Sequence, residues 1–269
     1  MKGEPLNIAI AGLTAAGKTT HARRLADELG YTYVSSTEIL LTLLGVDTPS
    51  NGAWFTDSVR IEQARRGDQA DSELDRRLVK WAATRSGVVF DSWVLAWICP
   101  TPIVRVWLES DEPSRIRKCF VSQEATRMPI SGCAELLREK DGASRSNFIR
   151  RYGFDLFVDR AEYDLVLCNS HLIPHATADS AALGIDKFAP ILRKAVELLL
   201  GGGSYAETSR LQGLHPAEIL RIGRRGRRAD RLVGERPHLS ARTEGSWPAD
   251  PAGESSSPPA AHLRRSTDA

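Results

Sequence analysis

The segment from Gly12 to Thr19 constrains this chain more than any other part of its sequence. It reads Gly-Leu-Thr-Ala-Ala-Gly-Lys-Thr, follows an apolar run that starts at Asn7, and precedes a helical pattern that ends at Leu29. This order of strand, glycine-rich turn and helix makes a loop whose backbone N–H groups converge on a phosphate. Gly12 and Gly17 can adopt the backbone conformations that such curvature needs. The motif therefore predicts that the chain binds a nucleoside triphosphate.

The motif also assigns roles to individual side chains. Lys18 would reach the β- and γ-phosphates, and the Thr19 hydroxyl would ligate Mg²⁺. The residues expected to surround the phosphates are Gly12, Leu13, Thr14, Ala15, Ala16, Gly17, Lys18, Thr19 and Thr20.

The composition of the chain changes near Gly201. Residues 201–269 hold 11 Arg, no Lys and 8 acidic residues, together with 9 of the 21 Gly and 6 of the 14 Pro. We therefore expect one domain over 1–200 and a mostly disordered tail over 201–269, with at most one or two helical turns within Pro216–Ile222. The positive charge lies in this tail, so we expect no nucleic-acid surface on the domain. A weak contact of the tail arginines with nucleic acid or an acidic partner stays open.

The four cysteines are scattered through the sequence. None forms a Cys-x-x-Cys pair or has a histidine at metal-ligand spacing, which favours buried, reduced thiols. No segment approaches the run of roughly 20 apolar residues that a membrane span needs. We therefore expect a cytoplasmic protein without a membrane partner.

Five strand-like apolar runs alternate with helical patterns along the chain. These runs are centred on residues 7–11, 31–34, 88–91, 103–108 and 163–169. Such alternation predicts a parallel sheet covered by helices on both faces, with ligands at the carboxyl ends of the strands. That edge would hold the phosphate loop together with Ser35, Ser36, Asp91 and Glu109.

Several segments outside the loop resemble the nucleoside monophosphate kinases, and most closely the short, archaeal-type cytidylate kinases. Gly30–Ile39 is similar to that family's Gly-Tyr-x-x-Val-Ser-x-Gly-Glu-Ile segment, and Trp81–Trp97, with its Val-Val-Phe-Asp strand, is similar to its third strand and the following turn. Arg138 and Arg145, seven residues apart and followed by Tyr-Gly-Phe-Asp at 152–155, look like the arginines of its lid. The resemblance extends from about residue 7 to about residue 170.

The resemblance implies the three-layer α/β fold of P-loop NTPases, with a five-stranded parallel sheet, an acceptor-binding insert over about 36–86 and a lid over about 113–151. It implies phosphoryl transfer from ATP, with Mg²⁺, to a nucleoside monophosphate such as CMP or dCMP. The residues to which it gives catalytic roles are Lys18, Asp91, Arg138 and Arg145. Thr19 and Asp91 would hold the metal ion. The residues expected to contact the acceptor are Ser35, Ser36, Trp93 and Asp141.

Three positions on the acceptor side depart from the family pattern. Leu41 and Trp93 stand where the family has arginines, and Gly142, next to Asp141, stands where it has a carboxylate. Neither leucine nor tryptophan can carry the charge of an arginine. Either other arginines, such as Arg60 and Arg65, replace them, or the acceptor carries no phosphate at that place.

Two alternative functions follow from these departures. In the first, the chain phosphorylates an unphosphorylated hydroxyl compound, such as a nucleoside or a specialised metabolite. Trp54, Trp93 and Trp97 would then line the acceptor pocket, and Asp91 would act as general base. In the second, the nucleotide site is a switch in a regulatory protein whose arginine-rich tail docks a partner.

Overall fold

The computed structural model describes residues 4–46, 68–123 and 128–223 of the chain. Trp54, Arg60 and Arg65 lie outside these ranges, and so does the sequence after Gly223. The helices are α1 Lys18–Leu29, α2 Ser36–Leu43, α3 Gln69–Thr84, α4 Leu95–Ile98, α5 Glu112–Ser122, α6 Ile130–Tyr152, α7 Ala178–Leu200 and α8 Tyr205–Leu214. The strands are β1 Asn7–Gly12, β2 Thr32–Ser35, β3 Val88–Asp91, β4 Ile103–Glu109, β5 Leu165–Cys168 and β6 Ile219–Ile222. Within the described ranges no helix is long and apolar enough to cross a membrane.

The strands form one mixed sheet in the order β2-β3-β1-β4-β5-β6. The first five strands pair in parallel, as predicted, and β6 pairs antiparallel with β5. The predicted number of five strands is therefore corrected to six, because the sixth falls in the segment that composition assigned to the tail.

The side chains of the central strand β1 contribute to the apolar layers on both faces of the sheet. Its successive side chains point to opposite faces, so Ile8 and Ile10 pack in one apolar layer with Phe188 of α7, whereas Ala9 packs in the other with Leu78 of α3. Every residue of β1 is buried, which is typical of a central parallel strand covered by helices. The predicted three-layer α/β fold is confirmed.

The segment immediately after α7 is helical, which corrects the predicted start of the tail. Helix α8 begins at a capping box in which the Ser204 hydroxyl accepts from the Glu207 amide and the Glu207 carboxylate accepts from the Ser204 amide. This reciprocal pair satisfies amide groups that the first turn of a helix leaves without partners. The helix packs into the core through Leu211, which is buried.

Residues 216–222 were predicted to form at most one or two helical turns, and the structure has strand β6 at Ile219–Ile222 instead. Ile219 is only 1% exposed and pairs with Leu167 of β5. The Arg221 guanidinium donates to the backbone carbonyls of Arg160 and Tyr163. These long-range contacts override the weak local signal, because a strand's pairing partner is not encoded in its own composition.

The length of the ordered segment can be tested by truncation. A chain that ends after Gly203 loses α8 and β6, and with them the burial of Leu211 and Ile219, which is worth roughly 1.5–3 kcal/mol for each side chain. We expect thermal denaturation followed by circular dichroism to show a clearly lower Tm for this chain. A control chain that ends after Gly223 should retain the Tm of the full chain, and equal Tm values for the two truncations would contradict this assignment.

Candidate active site

The loop between β1 and α1 has the geometry of a phosphate-binding loop. Gly12 and Gly17 adopt φ angles of 156° and 92°, and a Cβ on Gly12 would lie 2.7 Å from the carbonyl oxygen of Leu108 on β4. Ala15 also has a positive φ of 59°, a conformation that is uncommon for a residue with a side chain and that the motif did not predict. The loop is therefore built around a tight approach to the neighbouring strand.

Lys18 lies at the mouth of this loop. Its Nζ donates to the carbonyl of Leu13 over 2.9 Å and lies 4.9 Å from the centre of the Trp93 ring. Burial of the ammonium group lowers the pKa of Lys18 to about 8, although the Asp91 and Asp141 carboxylates oppose this shift. A phosphate bound here would supply the negative charge that favours the protonated lysine.

Thr19 and Asp91, the two predicted metal ligands, lie together. The Thr19 hydroxyl donates to Oδ2 of Asp91 over 2.6 Å, and the Tyr33 hydroxyl donates to the same oxygen over 3.3 Å. Burial, with the nearby Asp91 carboxylate, raises the pKa of Tyr33 to about 12, so its proton stays in place as a donor. Ser36 donates from its hydroxyl to the Asp91 carbonyl over 2.8 Å and helps to fix the end of β3.

The donor atoms of this pair fit a magnesium ion. Mg²⁺ prefers oxygen ligands and usually takes only one or two from protein, with phosphate and water completing the octahedron. Thr19 and Asp91 offer one hydroxyl and one carboxylate at the edge of the loop. In the described ranges no three or more His, Cys, Asp or Glu side chains form a cluster that could hold a metal on their own.

A cleft of about 1100 Å³ opens in front of the loop. One end of the cleft contains the predicted acceptor residues and is called the acceptor end here. It is formed by the serines at the start of α2, by α3 and by aromatic side chains of α6. The residues that line this end include Ser35, Ser36, Leu41, Asp71, Asp75, Asp91, Trp93, Phe148 and Tyr152. The predicted acceptor residues Ser35, Ser36 and Trp93 therefore face the same space as Lys18 and Thr19.

The acceptor end is aromatic and acidic. The Trp93 ring lies 5.5 Å from Phe148 and 5.4 Å from Phe157. The Tyr152 hydroxyl donates to Asp75 over 2.7 Å, and Arg151 pairs with the same carboxylate. Leu41 and Trp93, which stand where the family resemblance led us to expect arginines, both line the cleft.

The structure does not bring the two predicted lid arginines to the loop. Arg138 pairs with Glu112 over 2.9 Å and Arg145 with Asp155 over 2.5 Å, and their side chains are 66% and 50% exposed. Neither of them lines the cleft. Their catalytic role stays a prediction that requires α6 to adopt another position.

Asp141 lies away from the acceptor end, against the phosphate loop. Its carboxylate pairs with Arg115 over 2.5 Å, and Arg115 also donates to the Thr14 carbonyl over 3.2 Å. Sequence reasoning did not assign a role to Arg115, which lies in the segment Pro-Ser-Arg-Ile-Arg at 113–117 after β4. Charge alone could not distinguish it, because the surrounding helix carries several other cations.

A second missed contact supports the loop from behind. The Asn169 side chain donates to the Ala16 carbonyl over 2.9 Å and accepts from Lys118 Nζ over 2.5 Å. Asn169 directly follows β5, so the carboxyl end of a parallel strand was the available signal.

His21 lies behind the loop as an uncharged, packed side chain. Burial lowers the pKa of His21 to about 3, so this histidine is neutral, and its ring packs edge-on against Phe188.

Comparison with known proteins identifies the family. The model of the cytidylate kinase-like family matches residues 7–171. The chain belongs to this family. The predicted resemblance to nucleotide kinases is thereby confirmed.

Individual members of the cytidylate kinase-like family are distant relatives. A cytidylate kinase from Halobacterium salinarum is 28% identical over 182 residues, which cover 67% of this chain and 90% of the relative. A cytidylate kinase from Pyrococcus furiosus is 24% identical over 186 residues, covering 69% and 91%. Among solved structures, a shikimate kinase from Acinetobacter baumannii in complex with shikimate aligns over 72% of this chain and 96% of that one, with 16% identity and a TM-score of 0.41.

The lowered pKa of Lys18 predicts a pH dependence of nucleotide binding. Above pH 8 the free enzyme holds this lysine neutral, and a bound phosphate raises its pKa again, so binding must take up a proton. We expect the Kd of ADP·Mg²⁺, measured by titration calorimetry, to increase by up to about tenfold per pH unit from pH 8 to 10.

Lys18→Arg is the matched control for this pH profile, because an arginine stays charged throughout the range. Its Kd should vary little with pH, whatever its value at pH 7. Burial also lowers the pKa of Lys118 to about 8. If the Lys18→Arg variant kept the full pH dependence, the titrating group would not be Lys18.

Proposed function

We propose that this chain transfers the γ-phosphoryl group of ATP, bound with Mg²⁺, to a hydroxyl or phosphate oxygen of a small molecule. The single observation that carries the proposal is the 2.6 Å contact between Thr19 and Asp91 at the mouth of the phosphate loop. Both side chains also line the cleft of about 1100 Å³, so an acceptor bound there would meet the phosphates beside the metal ion.

The side chains divide the work of phosphoryl transfer among them. Such transfer depends mainly on positioning and on neutralising the charge of the phosphates. Lys18 would leave the Leu13 carbonyl to contact the β- and γ-phosphate oxygens. Thr19 and Asp91 would hold Mg²⁺, which neutralises phosphate charge when bound. Asp91 would also orient an ion-bound water or accept the proton of an acceptor hydroxyl.

CMP or dCMP is the first candidate acceptor. The family and the names of the relatives support it, together with the position of Ser35, Ser36 and Trp93 along the cleft. In this reading the phosphate of the acceptor is held by arginines outside the described residues, for which Arg60 and Arg65 are the candidates.

An acceptor without a phosphate is the second candidate, and a specific observation favours it. The cleft-lining positions 41 and 93 are leucine and tryptophan, and Asp71 and Asp75 add two carboxylates to the same end. Asp75 is already paired with Arg151, so it is mainly the lack of positive charge at positions 41 and 93 that disfavours a phosphate there. Among the described residues, this end of the cleft suits a nucleoside or another hydroxyl compound better than a nucleotide.

Three further expectations stay predictions. The first is that the chain is a regulatory protein, which would bind ATP without acceptor-stimulated turnover and contact a partner through its tail. The cytoplasmic location and a weak contact of the tail with nucleic acid also rest on the sequence alone.

Lys18→Ala tests the donor half of the proposal. Without the ammonium group the developing charge on the phosphates is not neutralised, and we expect ATP turnover to fall by at least about 100-fold. ADP release in a coupled assay measures this loss, and circular dichroism shows whether the fold is kept. Lys187→Ala on the exposed face of α7 is the control and should keep wild-type turnover; undiminished turnover in Lys18→Ala would overturn the assignment.

A panel of acceptors tests the other half. ATP consumption is measured with CMP, dCMP, UMP, AMP and the corresponding nucleosides. Trp93→Arg restores a cation to the cleft, so we expect its ratio of kcat/KM for CMP over cytidine to rise at least about tenfold. Trp93→Phe, which keeps an apolar ring, should leave that ratio unchanged, and an equal ratio in both variants would show that position 93 does not face the acceptor.

A further inference from the structure

Helix α6 is tied to the tip of the phosphate loop by an ion pair between the buried Arg115 and the partly buried Asp141. The Asp141 carboxylate accepts from Arg115 Nη1 over 2.5 Å with one oxygen and from the Thr14 amide over 3.4 Å with the other. Arg115 donates from the same nitrogen to the Thr14 carbonyl. The backbone N–H and the backbone carbonyl of Thr14 are therefore both hydrogen-bonded to this pair.

The pair is incompletely satisfied. Arg115 is 8% exposed, and its Nε is buried without a hydrogen-bond partner in the described part of the chain. The Thr14 hydroxyl beside it is buried and without a partner in the same way. A buried guanidinium is stabilised by anions that can take two of its N–H groups at once, and Asp141 takes one.

The carboxylate also faces the lysine of the loop. Asp141 acts on Lys18 as a negative charge that favours the protonated form, while Arg115 acts in the opposite sense. Asp141 is thus an anion of the protein placed close to the cations that the donor phosphates require. Phosphates that enter the loop meet its negative charge at short range, where repulsion is strong.

The position of α6 explains why the lid arginines point outward. Leu137, Asp141 and Ser144 belong to the stripe that faces inward, since the first and last are buried. At 3.6 residues per turn, Arg145 and Arg138 lie only about 40° and 60° around the helix from Asp141. Rotating α6 by these angles would bring each guanidinium group to the side of the helix that Asp141 now turns toward the loop, and the Asp141 contacts oppose that rotation.

We propose that Asp141 and Arg115 form a latch that keeps α6 against the empty phosphate loop and that the donor phosphates open. Arg115 exchanges Asp141 for a phosphate, which can accept two of its N–H groups, and α6 then turns its arginines toward the cleft. Asp141 is in this account a positioning residue and not an acceptor contact. The latch rests on the proposed function, because it needs a triphosphate in the loop.

Coupling between two events is reciprocal. If donor binding opens the latch, the closed latch must weaken donor binding, and removing the Asp141 charge must strengthen it. If Asp141 instead contacted the acceptor, removing its charge would raise the acceptor KM and leave the donor affinity unchanged.

Asp141→Asn tests the latch, since it removes the charge and keeps the shape. We expect the Kd of ADP·Mg²⁺, measured by titration calorimetry, to fall at least threefold. In the absence of nucleotide, hydrogen–deuterium exchange should be faster over residues 130–152 and unchanged in α7. Glu197→Gln is the matched control, because it breaks an exposed ion pair with Arg193 on α7 and touches neither the loop nor α6, and it should leave the Kd of ADP·Mg²⁺ at the wild-type value.

Each outcome decides between clear alternatives. Faster exchange with an unchanged Kd would leave a purely structural clamp and overturn the latch, as would an increased Kd. Asp141→Ser, which also removes the charge, gives the same test if the asparagine variant does not fold. Absence of ADP binding to the wild-type chain would contradict the proposed function itself, whereas equal binding to wild type and variant contradicts only the latch.

Discussion

The parallel register between β1 and β3 is the constraint on which the site depends. Ile10 of β1 lies beside Asp91, so the last residue of β3 is level with the start of the phosphate loop. Parallel strands bring their carboxyl ends to one edge, and a buried sheet cannot slip by one residue without turning its apolar side chains to the wrong face. The 2.6 Å contact of Thr19 with Asp91 is therefore a property of the core as much as of the loop.

Much of this arrangement could be predicted from the sequence because it rests on strong local patterns. The glycines, Lys18 and Thr19 are contiguous, and Asp91 closes an uninterrupted apolar strand. The strand β6 and helix α8 could not be found in this way, because their stability comes from pairing with β5 and from burying Leu211 and Ile219. Composition averages over a whole segment and hides a short element whose partner lies elsewhere in the chain.

The lid shows a different limit of sequence reasoning. Two turns of the same helix hold Arg138, Asp141 and Arg145. The family pattern predicts that all three lie near the substrate. Which of them faces inward is set by the angle of rotation about the helix axis, and here Asp141 faces Arg115 while Cys133 and Leu137 of the same helix pack in the core. The arginines expected to close over the phosphates are paired at the exposed surface, and the carboxylate expected at the acceptor is paired with Arg115 at the loop.

The antiparallel strand β6 has a consequence for how the chain avoids association with itself. Without β6, the strand β5, with three of its four residues buried, would present a row of unpaired amides and carbonyls beside an apolar surface. Such an open edge is a template for pairing between molecules and hence for aggregation. Because β6 is the last strand of the described part to leave the ribosome, the edge of β5 stays uncovered until synthesis has passed residue 222. The folding of this chain therefore has a vulnerable interval that closes only when its final strand docks.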